Sequence, residues 1–146
     1  MTAELRTPLA HLREAMAGSP LRELPPRRQF EVRGHCDKGL WLGPDWHLVV
    51  DDDPPAAAPT VSTVDVSAAR TILELSGPNA RTILEHGCSL DLHPRAFTIG
   101  KSAQTNLAKA QVILHHTAHN TYEIYVRASF ADYLARWLLD AMVEYR

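Results

Sequence analysis

Hydrophobic positions along the chain fall into two periods, and the switch between them lays out the elements. At the C-terminal end Phe130, Tyr133, Leu134, Trp137, Leu138, Ala141, Met142 and Tyr145 recur every three or four residues, marking one face of a helix. Ser129, with Asp132 three positions on, has the spacing of a capping box at its start. Upstream the period drops to two. Tyr122, Ile124 and Val126 share one face of a strand over Thr121–Arg127, and Thr71, Leu73 and Leu75 alternate with Ile72 and Glu74 over Ala69–Leu75. A strand-like stretch over Thr105–Leu114 breaks near Ala108–Ala110, and His119-Asn120 supplies a hairpin turn after it. Between these strands Gly77-Pro78 opens a short helix whose apolar stripe is Ala80, Ile83 and Leu84, stopped by Gly87.

The first half of the chain is more broken. Gln29–Arg33 is a short strand closed by Gly34, and Val61–Val66 is another. Leu40–Leu42, Gly43–Asp45 and Trp46–Val50 read as strand, turn and strand, because the middle tripeptide holds the residue types that turns need. Thr7–Gly18 predicts an amphipathic helix with Thr7 as cap, Pro8 in its first turn and Leu9, Leu12 and Met16 on one side. Ser19–Arg28 carries three prolines and reads as an extended arm rather than a packed element. The pattern predicts an α+β fold: an antiparallel or mixed sheet with helices packed on one face, in a ferredoxin-like or split β-α-β arrangement. Residues 1–28 form an N-terminal arm and residues 29–146 the domain.

Composition narrows the function classes. The chain has 146 residues, 45% of them hydrophobic, which suits one domain with a substantial core. Fifteen Lys and Arg against 17 Asp and Glu leave a net charge of −2, without the basic footprint of a nucleic-acid or anionic-membrane binder. Two cysteines, Cys36 and Cys88, make a poor disulfide framework and read as free thiols in a reducing compartment. Met1–Ala17 contains Glu4, Arg6, His11, Arg13 and Glu14, so it has no continuous apolar stretch for a secretory signal, and cytoplasmic is the expected location.

Four candidate sets of chemistry present themselves, and each has a plainer explanation. His115 and His116 are neighbours on a strand, so their side chains point to opposite faces and do not converge with His119 on one ion. His35-Cys36 and His86-Gly87-Cys88 form a split two-histidine, two-cysteine set, but the adjacent His35-Cys36 pair lacks the spacing by which a loop presents two ligands. Cys88 follows a helix C-terminus, where the dipole raises a thiol pKa. Asp91 and His93 lie two apart with no nucleophile beside them, and Asp51–Asp53 precede two prolines as a solvated charge run. No Gly-rich nucleotide fingerprint is present. Trp41, Trp46 and Trp137 read first as core aromatics and second as interface anchors. The expectation is therefore no catalytic, cofactor-binding or metal-ligating residue in this chain.

Several stretches together resemble one family. LWLGPDWHLVV (Leu40–Val50), VDVSAARTILELSGPNARTILEHGCSLDLHPRAF (Val64–Phe97), SAQTNLAKAQVIL (Ser102–Leu114) and SFADYLARWLLDAM (Ser129–Met142) are similar to the gamma subunit of heterotetrameric sarcosine oxidase. The opening TPLAHL and the LRELP of Leu21–Pro25 fit the same pattern, and GCSLDLHPRAF is its most specific segment. The order of elements is also similar to part of the folate-binding domain of aminomethyltransferases.

The resemblance implies an accessory subunit of a flavoenzyme that oxidatively demethylates sarcosine. Its products are glycine and hydrogen peroxide, with formaldehyde, or methylenetetrahydrofolate when tetrahydrofolate accepts the carbon. It further implies that FAD, FMN, NAD, zinc and the folate site belong to the alpha, beta and delta subunits. The gamma subunit would pack chiefly against alpha and carry no catalytic residues. The chain departs from the family pattern at His35–Gly39 and between Val50 and Val64, where a longer, helix-bearing segment is expected. Apolar surface left bare there would need a partner or a second copy of the chain. The rival expectation is a stand-alone folate-binding or one-carbon transfer domain, and a metal-dependent enzyme using the histidines ranks behind it.

Overall fold

A computed structural model describes residues 6–56 and 58–145. After a 3-10 turn at Ala10–Leu12 the chain forms helix α1 (Arg13–Met16), then strands β1 (Leu21–Glu23), β2 (Gln29–Arg33), β3 (Leu40–Gly43), β4 (Trp46–Val50), β5 (Ser62–Asp65) and β6 (Arg70–Ser76). Helix α2 (Ala80–Glu85), strands β7 (Ser102–Leu107), β8 (Ala110–Ala118) and β9 (Thr121–Arg127), and helix α3 (Ala128–Ala141) follow, with a final 3-10 turn at Met142–Tyr145. The expected α+β class is what the chain adopts, with antiparallel sheets and few helices.

Five strands make the larger sheet in the order β1-β6-β9-β8-β7, every neighbouring pair antiparallel. Strand alternation divides its side chains between two cores. On one face Leu21, Leu73, Leu75, Val112, Leu114, Ile124 and Val126 meet Ile83 and Leu84 of α2 and Ala131, Leu134, Ala135 and Leu138 of α3. The α3 residues repeat at helical spacing, so one stripe of the helix lies on the sheet. Leu9, Leu12 and Met16, the stripe expected in the N-terminal helix, are buried in the same core.

The opposite face of that sheet is covered by a second, four-stranded antiparallel sheet, ordered β3-β4-β2-β5. Ile72, Ile113 and Tyr125 pack here against Leu40, Leu42 and Leu48. Gln104 on β7 ties the layers together, its Nε2 donating to the Leu42 carbonyl at 2.7 Å. The fold thus has three layers: helices, large sheet, small sheet. On the outer side of the small sheet Val32 and Val49 are buried all the same. At Gly39, φ is +87° and a Cβ would fall 2.5 Å from the Leu48 carbonyl oxygen, so the short His35–Gly39 turn lies tight against β4.

The structure corrects several expectations. Ser19–Arg28 is not an unpacked arm: β1 pairs with β6 in the register Leu21↔Leu75, and Leu21 is fully buried. The prolines flank this strand and leave its three residues free to pair. Ser129 does not cap α3, which begins at Ala128 without a side-chain cap, and Asp132 instead binds Arg136 at 3.0 Å and His11. Phe130 and Tyr133 lie at the exposed side of the helix, the buried stripe running through Ala131, Leu134, Ala135 and Leu138. The break at Ala108–Ala110 is a complete hairpin turn that splits the stretch into β7 and β8, with Ala108 at φ 54°. Trp41, expected in the core, is 56% exposed.

Candidate functional site

A row of polar residues lies on the same face of the large sheet as Ile72, Ile113 and Tyr125. Cross-strand pairing puts Arg22, Glu74, Glu123, His115 and Ser102 in one row across β1, β6, β9, β8 and β7. Glu123 is the centre of this row, its side chain only 9% exposed. Arg27, from the proline-rich connection after β1, grips it with both terminal nitrogens, at 3.0 and 2.9 Å. The Tyr125 hydroxyl donates to Glu123 Oε1 at 3.3 Å. His115 Nδ1 stands 3.7 Å from the same oxygen, at ion-pair rather than hydrogen-bond distance. The His115 ring, with the Arg27 guanidinium, holds the Glu123 carboxyl down to about 2, against burial, which pushes it up. Burial, and then the charge of Glu123, pushes the Tyr125 phenol up.

Beside this cluster a cleft of about 480 Å³ opens between the N-terminal segment, the Pro25–Gln29 connection and the start of β6. Its walls are apolar where Pro8, Pro25, Pro26 and Ile72 line it. Four arginines, Arg6, Arg27, Arg28 and Arg70, border it, and among the described residues no Asp or Glu does. Arg27 is neutralised by Glu123 and, at 3.6 Å, by Asp51; Arg28 reaches Asp53 at 3.3 Å. Arg6 and Arg70 have no ion-pair partner among the described residues. Burial pushes the Arg70 guanidinium pKa down, Glu31 opposing this and Arg127 adding to it. Two further lining residues hold buried polar atoms with no hydrogen-bond partner, Gln29 Oε1 and Thr7 Oγ1.

The residues singled out from sequence fall elsewhere. His115 and His116 do face opposite sides of β8, as strand alternation requires. His116 is stacked between Phe97 and Tyr122, its Nδ1–H donating to the Phe97 carbonyl at 2.8 Å. His119 is exposed in the turn beside Asn120. Cys36 Sγ donates to the Lys38 carbonyl, and Cys88 lies against Thr105, both as free thiols. His86 meets the Tyr145 hydroxyl at 2.8 Å. Asp91 and His93 are turn residues, accepting from the backbone N–H groups of His93 and Arg95. Asp52 pairs with Lys38 at 3.4 Å, and the Asp53 backbone N–H holds its carboxyl below the usual range. Among the described residues no group of three or more His, Cys, Asp or Glu is placed to hold a metal.

Of the tryptophans, Trp46 donates its ring N–H to Glu31 at 2.9 Å and lies under Arg33, whose guanidinium carbon is 3.9 Å from the ring centroid. Trp137 rests on Gly87, where an added Cβ would come within 2.7 Å of its ring. The cleft and the Glu123 cluster were missed by sequence reasoning. A signal was present: Tyr122–Val126 is a run buried on both faces, and Glu123 is its single charged member. In the cleft lining two hydroxyls donate to carboxylates at 2.6 Å, Ser67 to Asp65 and Thr71 to Glu23. No helix among the described residues is long and apolar enough to cross a membrane.

Comparison with known proteins bears on the family to which the chain belongs. The model of the family described as sarcosine oxidase, gamma subunit, matches residues 58–144. A sarcosine oxidase subunit gamma of Corynebacterium sp. (strain P-1) is 35% identical, over 99% of this chain and 93% of that one. The subunit gamma of Corynebacterium sp. (strain U-96) is 38% identical over 73% of this chain, and there the match spans 56% of the relative's length, a little over half. A chain in the solved heterotetrameric sarcosine oxidase of strain U-96, in complex with pyrrole 2-carboxylate, superposes with a TM-score of 0.85 at 31% identity, over 97% of this chain and 96% of that chain. Three layers that correspond almost end to end, with the matched family segment running from β5 through α3, leave one assignment: the chain belongs to the sarcosine oxidase gamma subunit family.

Proposed function

We propose that this chain is the accessory, non-catalytic gamma subunit of a heterotetrameric sarcosine-oxidase-like flavoenzyme in the cytoplasm. The enzyme oxidatively demethylates sarcosine to glycine, giving hydrogen peroxide and either formaldehyde or methylenetetrahydrofolate. FAD, FMN, NAD, zinc and tetrahydrofolate are held by the alpha, beta and delta subunits, and alpha is the main contact. No residue of this chain is assigned to catalysis, cofactor binding or metal ligation. Residues 1–28 serve as an N-terminal arm whose β1 closes one edge of the sheet of domain 29–146.

The observation that carries this reading is the near end-to-end correspondence with a chain of a heterotetrameric oxidase. The polar residues support it too, since their partners are structural: turn backbone, neighbouring carboxylates and stacked rings. The stand-alone folate-binding alternative is not favoured, because the proteins that correspond to this chain nearly end to end are a gamma subunit and a chain of a heterotetrameric oxidase. The test is purification of the tagged chain from its own source under gentle conditions. Flavin absorption bands with larger co-purifying polypeptides are expected. A colourless chain of 16.3 kDa, alone or self-associated, that binds tetrahydrofolate by calorimetry would overturn the reading.

A further inference from the structure

The cleft beside Arg27 is incompletely satisfied by the described residues, and what it lacks is specific. Gln29 is 1% exposed, and its Nε2 donates to the Arg70 carbonyl at 3.3 Å. Turning the amide over would set two carbonyl oxygens against each other, so Oε1 stays where it is, a buried acceptor without a donor. A buried acceptor left without a partner costs about 1–3 kcal/mol, which an N–H recovers where docking opens Oε1, closed to solvent in the free chain, to the cleft. Arg70 and Arg6 together call for a carboxylate, and Pro8, Pro25, Pro26 and Ile72 for an apolar side chain. A lone carboxylate would answer the arginines and leave Gln29 Oε1 as it was. An extended peptide supplies all three groups at once, its backbone N–H donating while alternate side chains point to the two walls.

We propose that this cleft receives an extended acidic segment of a partner subunit, with an Asp or Glu on Arg70, a backbone N–H on Gln29 Oε1 and an apolar side chain against the prolines. The proposal rests on the oxidase-subunit reading and names the chemistry by which the partner is held. Charge complementarity favours this occupant: the chain is acidic overall, yet the charged residues lining this cleft are, among the described residues, arginines, and Arg6 and Arg70 have no ion-pair partner there. Arg70 is the residue on which docking depends most, because its half-buried guanidinium is already stripped of much of its water.

The test places the photo-crosslinking residue benzoylphenylalanine at Ala68, an exposed residue of the cleft rim, in the complex assembled with its flavin-containing partners. The expected product joins Ala68 to a peptide of another polypeptide, with an Asp or Glu within a few residues of the link. Arg70→Gln should weaken assembly about tenfold or more, Arg70→Lys should recover part of the loss, and Arg136→Gln on the outer side of α3 should change nothing. Melting curves of the free variants check that each still folds. Cross-links confined to this chain, to a second copy of it, or to a partner segment without acidic residues would overturn the proposal while the oxidase complex, and the functional reading, stood. Failure of the unmodified chain to join any flavin-containing complex would overturn both.

Discussion

The helix-covered face of the large sheet buries Leu73, Leu75, Leu114 and Ile124 to 1% exposure or less, with aliphatic side chains from α2 and α3 closing over them. The other face has an apolar patch under the small sheet, but the adjoining row is Glu74, Glu123 and His115, and beyond it lies a cleft whose Arg6 and Arg70 have no ion-pair partner among the described residues. One sheet thus has a finished side and a side whose polar groups exceed the partners the described residues supply. The difference separates two jobs: the helix side holds the fold together, and the sheet side, by this account, is completed on assembly. A buried polar group without a partner weakens the free chain and strengthens only the complex that satisfies it.

The largest expected effect lies on the helix side. Leu134→Ala removes a fully buried side chain from the α3 stripe and should cost about 2–5 kcal/mol, read by urea unfolding of the free chain. An effect on assembly beyond that loss of stability would blur the comparison. Next comes Glu123→Gln, which weakens the grip on Arg27 and should cost about 1.5–3 kcal/mol. Its pH signature is specific. The Glu123 carboxyl is held down from the ordinary 4.5 to about 2, so its contribution is full above the unfolded value and is lost as pH falls through about 2. The wild-type chain should therefore lose stability more steeply than Glu123→Gln between about pH 4.5 and 2. Parallel acid limbs would remove Glu123 from the account.

Gly87→Ala sharpens the contrast from the helix side. The new methyl would press on the Trp137 ring and the Ala108 backbone, and overpacking of this kind costs about 1–3 kcal/mol, seen as a lower melting temperature. The smallest effect belongs to Trp41→Ser. Trp41 is largely exposed on the small sheet, and its replacement should move the stability of the free chain by no more than about 0.5 kcal/mol. A loss of several times that would mean that Trp41 holds the small sheet together after all.

What was legible in the sequence follows the same division. The helix side declared itself, because Tyr122, Ile124 and Val126 keep period two and Ala80, Ile83 and Leu84 keep helical spacing, and both patterns record burial against an apolar partner. Helix α3 was legible in position but not in rotation: Phe130 and Tyr133 lie close enough to the apolar stripe to be read into it, and only packing sets which residues lie inward. The small sheet was visible as separate short strands, yet nothing local says that they form a layer of their own over Ile72, Ile113 and Tyr125. Strand β1 was hidden by its prolines, since a three-residue strand takes its stability from the sheet edge it joins. The Glu123 cluster depends on Arg27, 96 positions away, a distance at which no periodicity signals contact.

Hydrogen exchange of the free chain against the chain in its flavin-containing complex tests the central claim most directly. Added protection on assembly is expected at Thr7–Leu9, Arg27–Gln29 and Arg70–Ile72, around the cleft, with little change in α2 and the buried stripe of α3. Added protection confined to α2 and α3, with the cleft segments exchanging as they do in the free chain, would contradict it.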